Sequence, residues 1–301
     1  MLSEVSVKVE DVIIVGAGPA GLATAIQLKR YGITPLLFER EEVGGLLRNA
    51  NLVENYPGFP HGISGTRLVK LFARQAANFN IEVTDQEIIA LDYNQGLFQA
   101  KSRHDSYGSR IAVIATGTKP LLFTDLVIPE DLTERVFYEV HGLLWAEEKS
   151  VAIIGSGDAA FDYALNLAKK NQVIMLNRGG RPKCLPLLWE RAQRVSNISY
   201  RNNTRVTKLT KDPTTGILVG CQYPAGELQF HADYLLGAIG REARLDCLSE
   251  KVLRQANALE GLGVLYMVGD VKNGIFRQTS IAVGEGVLAA MKIYRYLKES
   301  A

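Results

Sequence analysis

The chain has 301 residues, of which 47% are hydrophobic and 22% charged, and its formal net charge is +2. This length predicts about two domains, and the composition is that of an ordinary globular protein. A charge so close to neutrality gives no sign of the strongly basic surface of nucleic-acid-binding proteins or of proteins bound to acidic membranes.

The cysteines Cys184, Cys221 and Cys247 match neither the spacing of a metal site nor a Cys-x-x-Cys pair. We interpret them as reduced, packed thiols. The N-terminal segment lacks the apolar core of a signal peptide, and no apolar run approaches the length of a membrane span. We therefore expect a cytoplasmic protein with no metal, no nucleic-acid partner and no membrane contact.

The N-terminal part of the chain predicts a β-α-β unit. Residues 11–16 (DVIIVG) form a short apolar run that is typical of a buried parallel strand. After a glycine-rich turn, residues 20–31 have helical apolar spacing and are followed by Gly32. Residues 34–39 (TPLLFE) predict the second strand.

The same pattern recurs near the middle of the chain. Residues 150–155 (SVAIIG) predict a strand, 159–170 a helix and 172–177 (QVIMLN) a second strand. The recurrence indicates duplication of a fold type rather than a short-period repeat array.

Two further apolar strands, 110–117 and 232–240, end in glycine and precede charged, irregular stretches. We interpret 118–121 and 241–245 as two crossings between domains, so that the second domain is inserted into the first. The remaining predicted elements are a late strand and a closing helix, at 262–270 and 279–297.

The first glycine turn carries the motif G-x-G-x-x-G at Gly16, Gly18 and Gly21, between a predicted strand and helix. In this motif the glycines permit a tight turn, backbone approach to a pyrophosphate, and close packing of helix on strand. Glu39 ends the second strand, where it can accept hydrogen bonds from a ribose diol. The pattern predicts a dinucleotide site; the alternative is a structural glycine turn with a surface glutamate.

Several stretches together resemble the low-molecular-weight thioredoxin reductase family of flavoproteins, over essentially the whole chain. Among these stretches, VENYPGFP and the pair formed by GD and RQ are the most specific to that family. The stretches are GAGPAGL (16–22), VENYPGFP (53–60), ATG (115–117), GD (269–270), RQ (277–278) and AVGEGVLAA (282–290).

The resemblance implies an α/β fold with two Rossmann-like domains, the second inserted into the first. It implies an FAD-binding domain at 1–119 and 243–301, and an NAD(P)-binding-like domain at 120–242. It also implies a homodimer.

The resemblance further implies that FAD occupies the first site. The glycines would hold the pyrophosphate, Glu39 the adenosine ribose, and Gly44, Gly45 and Asn55 would line the flavin and ribityl chain. Asp270 would accept from a ribityl hydroxyl, although it could also be a simple turn residue, and Gln278 would face the flavin pyrimidine edge. The full set of expected FAD-binding residues is Gly16, Gly18, Pro19, Ala20, Gly21, Glu39, Arg40, Gly45, Leu46, Asn55, Val83, Thr116, Gly117, Gly269, Asp270, Arg277, Gln278 and Thr279.

The second glycine turn, G-x-G-x-x-A, resembles the nicotinamide-nucleotide site of the same family. The strand that follows ends in Asn177, so the usual acidic partner of an NAD ribose is missing. Basic side chains beyond it could hold the 2′-phosphate of NADP(H); the alternatives are NADH, or a solvated loop in a domain that binds no pyridine nucleotide. The candidate residues are Gly155, Gly157, Asp158, Ala159, Ala160, Arg178 and Arg181, with Lys183 beyond.

Thioredoxin reductases carry a Cys-x-x-Cys shortly before the second glycine turn, where this chain reads YEVH at 138–141. Without a thiolate pair there is no thiol–disulfide exchange, so the fold and FAD carry over but thioredoxin reduction does not. Tyr138, His141 and Trp145 are candidates for residues near the flavin, by stacking or proton donation. The alternative is a turn that packs its aromatic residues.

The expected activity is that of an FAD-dependent oxidoreductase in electron transfer, with a non-thiol partner: NAD(P)H, ferredoxin, flavodoxin or a second FAD. The last would resemble diflavin-linked disulfide oxidoreductases. The sequence after the closing helix lacks the aromatic tail of family ferredoxin–NADP reductases, which argues against that subgroup. The alternatives are a disulfide reductase that uses a non-standard cysteine, and a non-enzymatic flavin-binding protein.

Overall fold

The computed structural model describes residues 9–213 and 216–299. The two ends of the predicted FAD-binding domain, 1–8 and 300–301, lie outside the described residues. The chain divides into two compact units. Unit 1 comprises 9–48, Glu54–Lys119 and 242–299 in its described part, and unit 2 comprises Asn49–Val53 and Pro120–Arg241.

Strands and helices alternate in the first part of each unit, and antiparallel strands follow. The strands are β1 (Val9–Val15), β2 (Leu36–Glu39), β3 (Val83–Asp85), β4 (Ala90–Asn94), β5 (Leu97–Lys101), β6 (Ser106–Ile114), β7 (Thr118–Pro120), β8 (Val136–Phe137), β9 (Ser150–Ile154), β10 (Gln172–Leu176), β11 (Ile198–Arg201), β12 (Arg205–Asp212), β13 (Gly216–Tyr223), β14 (Gly226–Ala232), β15 (Tyr234–Gly237), β16 (Arg241–Ala243) and β17 (Leu265–Met267). The helices are α1 (Pro19–Arg30), α2 (Gly65–Asn78), α3 (Asp158–Leu167), α4 (Pro186–Gln193), α5 (Glu250–Gly261) and α6 (Thr279–Glu299).

The sheet of unit 1 has the order β3-β2-β1-β6-β5-β4, and β17 pairs with β6. β1 lies parallel between β2 and β6, and its residues Val12, Ile13 and Ile14 are fully buried. A strand buried on both faces is continuously apolar, which explains the short apolar run at residues 11–16. α1 and α6 pack closely because Gly286 has no side chain: a Cβ there would lie 2.3 Å from the carbonyl oxygen of Ala20.

Unit 2 repeats the parallel arrangement in a five-stranded sheet with the order β11-β10-β9-β15-β8. A separate antiparallel sheet, β12-β13-β14, follows in the chain. Its inward residues, such as Ile217, Val219 and Cys221, are buried at alternate positions. This antiparallel sheet was not predicted from the sequence.

The predicted fold class, α/β with two Rossmann-like domains of which one is inserted, is confirmed. Some predicted strand ends were wrong. β6 ends at Ile114 and not at Gly117, and β17 ends at Met267 before a 3-10 turn over Gly269–Val271. The pairing with neighbouring strands ends at Ile114 and Met267, and the turns that follow contain glycines with positive φ, +64° at Gly117 and +77° at Gly269.

Over residues 9–213 and 216–299, no helix combines the length and the apolar character that crossing a membrane requires.

Candidate dinucleotide-binding sites

The first glycine turn, in unit 1, has the backbone that a pyrophosphate site requires. Gly16 has φ +104°, and a Cβ there would lie 2.4 Å from the carbonyl oxygen of Ala115. A Cβ on Gly21 would lie 1.9 Å from the carbonyl oxygen of Gly16, so helix and strand can approach only at glycine. Gly18 has nothing within 4 Å of its Cβ position. That open space, in front of the N-terminus of α1, fits a bound pyrophosphate.

Glu39 lies beside this turn, although it is 22 residues away in sequence from Ala17. Its Oε2 accepts from the backbone N–H of Ala17 at 2.8 Å. Its Oε1 accepts from the backbone N–H groups of Arg40 and Glu41 at 3.0 and 3.1 Å. These bonds hold the carboxylate at the carboxyl end of β2, and an ionised carboxylate has lone pairs left for a ribose diol.

Other predicted residues surround the first turn. The Cβ position of Gly45 is 3.3 Å from the Cα of Gly18, and the N–H of Gly44 donates to the carbonyl oxygen of Ala17. Thr116 donates from Oγ1 to the carbonyl oxygen of Arg244 at 2.6 Å.

The last part of unit 1 contributes a second group. The Cβ position of Gly269 is 3.0 Å from the Cβ of Ala20 in α1, and Asp270 follows it in the 3-10 turn. The side-chain amide of Asn55 donates to Oε1 of Gln278 at 2.7 Å, immediately before α6 begins at Thr279. The residues predicted from both ends of the sequence therefore meet within unit 1.

Some predicted residues lie further from the turn. Val83 is half-buried in β3, where it pairs with Leu37 of β2. Arg40 is exposed and forms ion pairs with Glu41 at 2.6 Å and Glu87 at 3.7 Å. The remaining predicted residues are placed by their neighbours in sequence: Pro19 follows Gly18, Leu46 follows Gly45, Gly117 follows Thr116, and Arg277 precedes α6.

The second glycine turn, in unit 2, repeats the backbone of the first. Gly155 has φ +149°, and its Cβ position is 2.3 Å from the carbonyl oxygen of Ala238. The Cβ position of Gly157 has nothing within 4 Å, so the space that a pyrophosphate would occupy is again open. Ala160 replaces the third glycine, and Asp158 and Ala159 are exposed at the start of α3.

The loop after β10 folds against this turn. The N–H of Lys183 donates to the carbonyl oxygen of Ser156 at 2.8 Å, and the N–H of Leu185 donates to Oδ1 of Asp158 at 2.7 Å. The side chains of Arg178, Arg181 and Lys183 are exposed, and no ion pair holds them within 9–213 and 216–299.

Asn177 holds that loop together. Its Oδ1 accepts from the N–H of Gly179 at 2.9 Å, and its Nδ2 donates to the carbonyl oxygen of Arg181 at 3.0 Å and to the hydroxyl of Tyr200 at 2.8 Å. The residue is only 5% exposed. Asn177 is thus a structural residue of the loop, a role that the sequence did not reveal.

The YEVH stretch, also in unit 2, has local partners. The hydroxyl of Tyr138 accepts from the N–H of Phe123, and the two rings pack at 5.3 Å. Trp145 is 63% exposed; its Nε1 donates to the carbonyl oxygen of Gly142, and its ring contacts Tyr234 edge-on at 5.6 Å.

Glu139 lies in the same stretch and was not predicted from the sequence as a site residue. One of its oxygens accepts from Arg241 at 2.7 Å and the other from the amide of Asn49 at 2.7 Å. Oδ1 of Asn49 in turn accepts from the backbone N–H of His141 at 3.1 Å, while the imidazole of His141 is exposed. A charge-assisted network therefore fixes the stretch at which the resemblance would place a dithiol.

Asp162 of α3 is a second overlooked carboxylate. It accepts from the backbone N–H of Asn51 at 2.8 Å, and the N–H of Leu52 is a further donor. Burial nevertheless raises the pKa of Asp162 to about 6, against the lowering effects of these donors and of Lys169. Asn51 and Leu52 belong to unit 2, so these bonds lie within it.

The three cysteines do not form a disulfide, and their surroundings disfavour thiolates. Burial raises the pKa of the Cys184 thiol, and it raises the pKa values of Cys221 and Cys247 to about 11 each. Cys221 and Cys247 are buried in different units. A thiol must be deprotonated to attack a disulfide, so a raised pKa disfavours exchange chemistry at each of them.

Comparison with known proteins agrees with this architecture. Residues 10–286 match the family described as pyridine nucleotide-disulphide oxidoreductase. A thioredoxin reductase from Mycolicibacterium smegmatis is 26% identical over 310 residues, covering 98% of each chain. A ferredoxin–NADP reductase from Ignicoccus hospitalis is also 26% identical, over 96% of this chain and 98% of its own.

A solved structure gives the same result. The crystal structure of T. acidophilum thioredoxin reductase superposes with a TM-score of 0.83 at 25% identity, covering 97% of this chain and 99% of that one.

Proposed function

This chain belongs to the pyridine nucleotide-disulphide oxidoreductase family, and we propose that it transfers electrons through FAD to or from a partner that is not a disulfide. The predictions of an oxidoreductase, of FAD and of NADP(H) as a candidate second cofactor are confirmed at the level of the family. When bound, FAD supplies the capacity to accept a hydride and to release electrons.

In the proposed FAD site, the N–H groups around Gly18 and the N-terminus of α1 bind the pyrophosphate, and Glu39 binds the adenosine ribose. Asn55, Asp270 and Gln278 bind the flavin end. The open space at Gly18 and the Asn55–Gln278 hydrogen bond of 2.7 Å support this assignment. The N-terminus of α6, at Thr279, would stabilise negative charge on the reduced flavin.

In the proposed nicotinamide-nucleotide site, Gly157 faces the pyrophosphate, and the loop after β10 binds the adenosine end. The side chain of Asn177 forms hydrogen bonds within that loop. This position therefore offers no carboxylate to the ribose of NADH. Arg178, Arg181 and Lys183 are exposed and basic. A 2′-phosphate is their natural ligand, so we propose NADPH rather than NADH as the nucleotide.

The observation that carries the non-thiol assignment is the state of the cysteines. They form no Cys-x-x-Cys motif, they do not form a disulfide, and burial raises the pKa of each thiol. The stretch that would carry the dithiol presents Glu139, fixed by Arg241 and Asn49. Thiol–disulfide exchange needs an attacking thiolate, and these side chains supply none.

The partner is then an electron carrier. A relative of similar length is named ferredoxin–NADP reductase, which supports ferredoxin or flavodoxin as the partner of this chain. A second FAD near Tyr138, His141 and Trp145 remains the alternative partner. As an assembly we propose a homodimer in the cytoplasm.

The test is anaerobic reduction of the purified flavoprotein by NADPH and by NADH in a stopped-flow spectrometer, followed by mixing with oxidised acceptors. We expect NADPH to bleach the flavin faster, and ferredoxin or flavodoxin to restore its absorbance while oxidised thioredoxin does not. Failure of both nucleotides to bleach the flavin would contradict the assignment of the second site.

Serine variants of the three cysteines provide the control. Replacing Cys184, Cys221 and Cys247 one at a time should leave the electron-transfer rates unchanged. Loss of turnover in one variant would instead favour a disulfide reductase that uses that cysteine. The ratio of flavin to protein after gel filtration distinguishes the partners, since a ratio of one excludes a second bound FAD.

A further inference from the structure

Glu285 of α6 accepts hydrogen bonds from both ends of the turn 269–273, a contact that was not predicted from the sequence. Its Oε2 accepts from the backbone N–H of Gly269 at 2.7 Å and from the side-chain amide of Asn273 at 2.9 Å. Nζ of Lys272 lies 3.7 Å from its Oε1. The side chain is 22% exposed, so the carboxylate is partly shielded from water. One carboxylate therefore binds both the first and the last residue of 269–273.

The turn needs such a partner. Gly269 is buried with φ +77°, and its Cβ position is 3.0 Å from the Cβ of Ala20 and 3.5 Å from that of Ala282. The backbone is thus enclosed between α1 and α6, where an N–H group without an acceptor would cost stability. Glu285 supplies the acceptor for that N–H, and bonds to an ionised acceptor are stronger than neutral ones.

We propose that Glu285 is a positioning residue for FAD, acting through the turn that carries Asp270. The inference rests on the proposed function, in which Asp270 accepts a hydrogen bond from the ribityl chain. Holding Gly269 and Asn273 fixes the residue between them before the cofactor arrives, and a ligand group held in place costs less entropy on binding. Glu285 itself need not touch FAD.

The test compares the release of FAD from the holoprotein of three variants, followed by the rise of flavin fluorescence on dilution. Glu285→Ala removes both hydrogen bonds and should weaken FAD binding about tenfold, the order expected for loss of a charged hydrogen bond. Glu285→Gln keeps an oxygen that can accept both bonds and should bind FAD within about threefold of the wild type. Glu299→Ala, on the same helix and in an exposed ion pair with Arg295, is the matched control and should bind FAD as the wild type does.

Two further measurements keep the outcome decisive. Asn273→Ala removes one of the two bonds and serves if Glu285→Ala does not fold; it should weaken FAD binding by a smaller factor. Amide hydrogen exchange should show the Gly269 N–H protected in the wild type and in Glu285→Gln, and unprotected in Glu285→Ala.

Wild-type affinity in both Glu285→Ala and Asn273→Ala would overturn this inference and leave the proposed function intact. A wild-type protein that binds no FAD would overturn the proposed function, and the positioning role with it. Equal weakening by Glu285→Gln and Glu285→Ala would also contradict the account, because the charge rather than the held turn would then matter.

Discussion

The two glycine turns have the same backbone and different chemistry. Gly16 and Gly155 both have positive φ, and the Cβ position of each lies within 2.4 Å of the carbonyl oxygen of the residue that follows a neighbouring strand. Gly18 and Gly157 both face open space. The backbone of a β-α-β unit thus provides twice the geometry that a pyrophosphate site requires, without specifying which dinucleotide would bind.

The two turns differ in the side chains at the end of the second strand of each β-α-β unit, which is β2 in unit 1 and β10 in unit 2. In unit 1, Glu39 presents a carboxylate that accepts from the N–H of Ala17. In unit 2, Asn177 is buried and bonded within its own loop, and exposed basic residues follow it. In the proposed sites, selectivity between cofactors would therefore depend on a few side chains added to a common backbone.

The largest expected effect concerns the third position of the motif. Gly21→Ala would place a Cβ 1.9 Å from the carbonyl oxygen of Gly16, so the helix must move. We expect a loss of about 3 kcal/mol in unfolding free energy and loss of bound FAD. Ala160→Gly is the matched change in unit 2 and should cost only about 1 kcal/mol, the difference in helix propensity. Urea unfolding of both variants tests this, and a stable, FAD-loaded Gly21→Ala protein would show that the turn tolerates a side chain.

The helices that follow the two turns give the second prediction. α1 contains no acidic residue, whereas α3 contains Asp158 and Asp162. Burial raises the pKa of Asp162 to about 6, above the ordinary value of 3.8. Between pH 3.8 and about pH 6, Asp162 binds a proton in the folded protein but not in the unfolded chain. The ionised carboxylate destabilises the folded protein, so this destabilisation disappears as the pH falls from 7 to 4.

Asp162→Asn should therefore stabilise the protein by up to about 2 kcal/mol at pH 8 and have little effect at pH 4. The midpoint of urea unfolding measured across this pH range tests the prediction. Asp125→Asn, which alters an exposed ion pair with Arg205 in the same unit, is the control and should show no such trend. A benefit that grows as the pH falls would reverse the sign and refute the explanation.

The third prediction concerns whether an acidic side chain at the end of β10 is enough to increase the affinity for NADH. Asn177→Asp supplies an acid at the position that corresponds to Glu39, but it loses the donation to the carbonyl oxygen of Arg181. We expect the loop to be weakened by about 1 kcal/mol and NADH binding to remain unchanged. Tighter binding of NADH in a fluorescence titration would mean that the residue type alone decides the nucleotide.

The smallest expected effect is on nucleotide selectivity. Arg178→Ala should weaken NADPH binding about threefold, because solvent screens the contact of an exposed arginine with a phosphate, and it should leave NADH binding unaffected. Arg205→Ala, an exposed arginine of the same unit, should change neither affinity. Equal loss of NADPH and NADH would indicate damage to the loop rather than removal of a phosphate contact.

The strands, turns and helices that could be predicted from the sequence are those that a local residue pattern specifies. Apolar runs such as 11–16 and the glycine spacing specify strand, turn and helix because burial and steric limits act within a few residues. The strand ends at Ile114 and Met267 were missed because the apolar character continues into Ala115 and Val268, beyond the last paired residues.

The contacts that the sequence did not reveal are long-range. Asn51 and Asp162 are 111 residues apart, and Asn49 and Glu139 are 90 apart. Glu285 lies 16 residues from Gly269. No periodicity relates such pairs, and each carboxylate resembles an ordinary polar residue until its acceptor role is seen in the structure.

The most direct test of the central claim, that this chain has no thiol redox centre, is an anaerobic reductive titration of the holoprotein with dithionite. A protein with FAD alone should be fully reduced by about two electron equivalents per flavin, whereas a flavin with a redox-active disulfide takes about four, since each is a two-electron couple. We predict two equivalents, unchanged in the Cys184→Ser variant. Consumption of four equivalents, falling to two when one cysteine is replaced, would contradict the account.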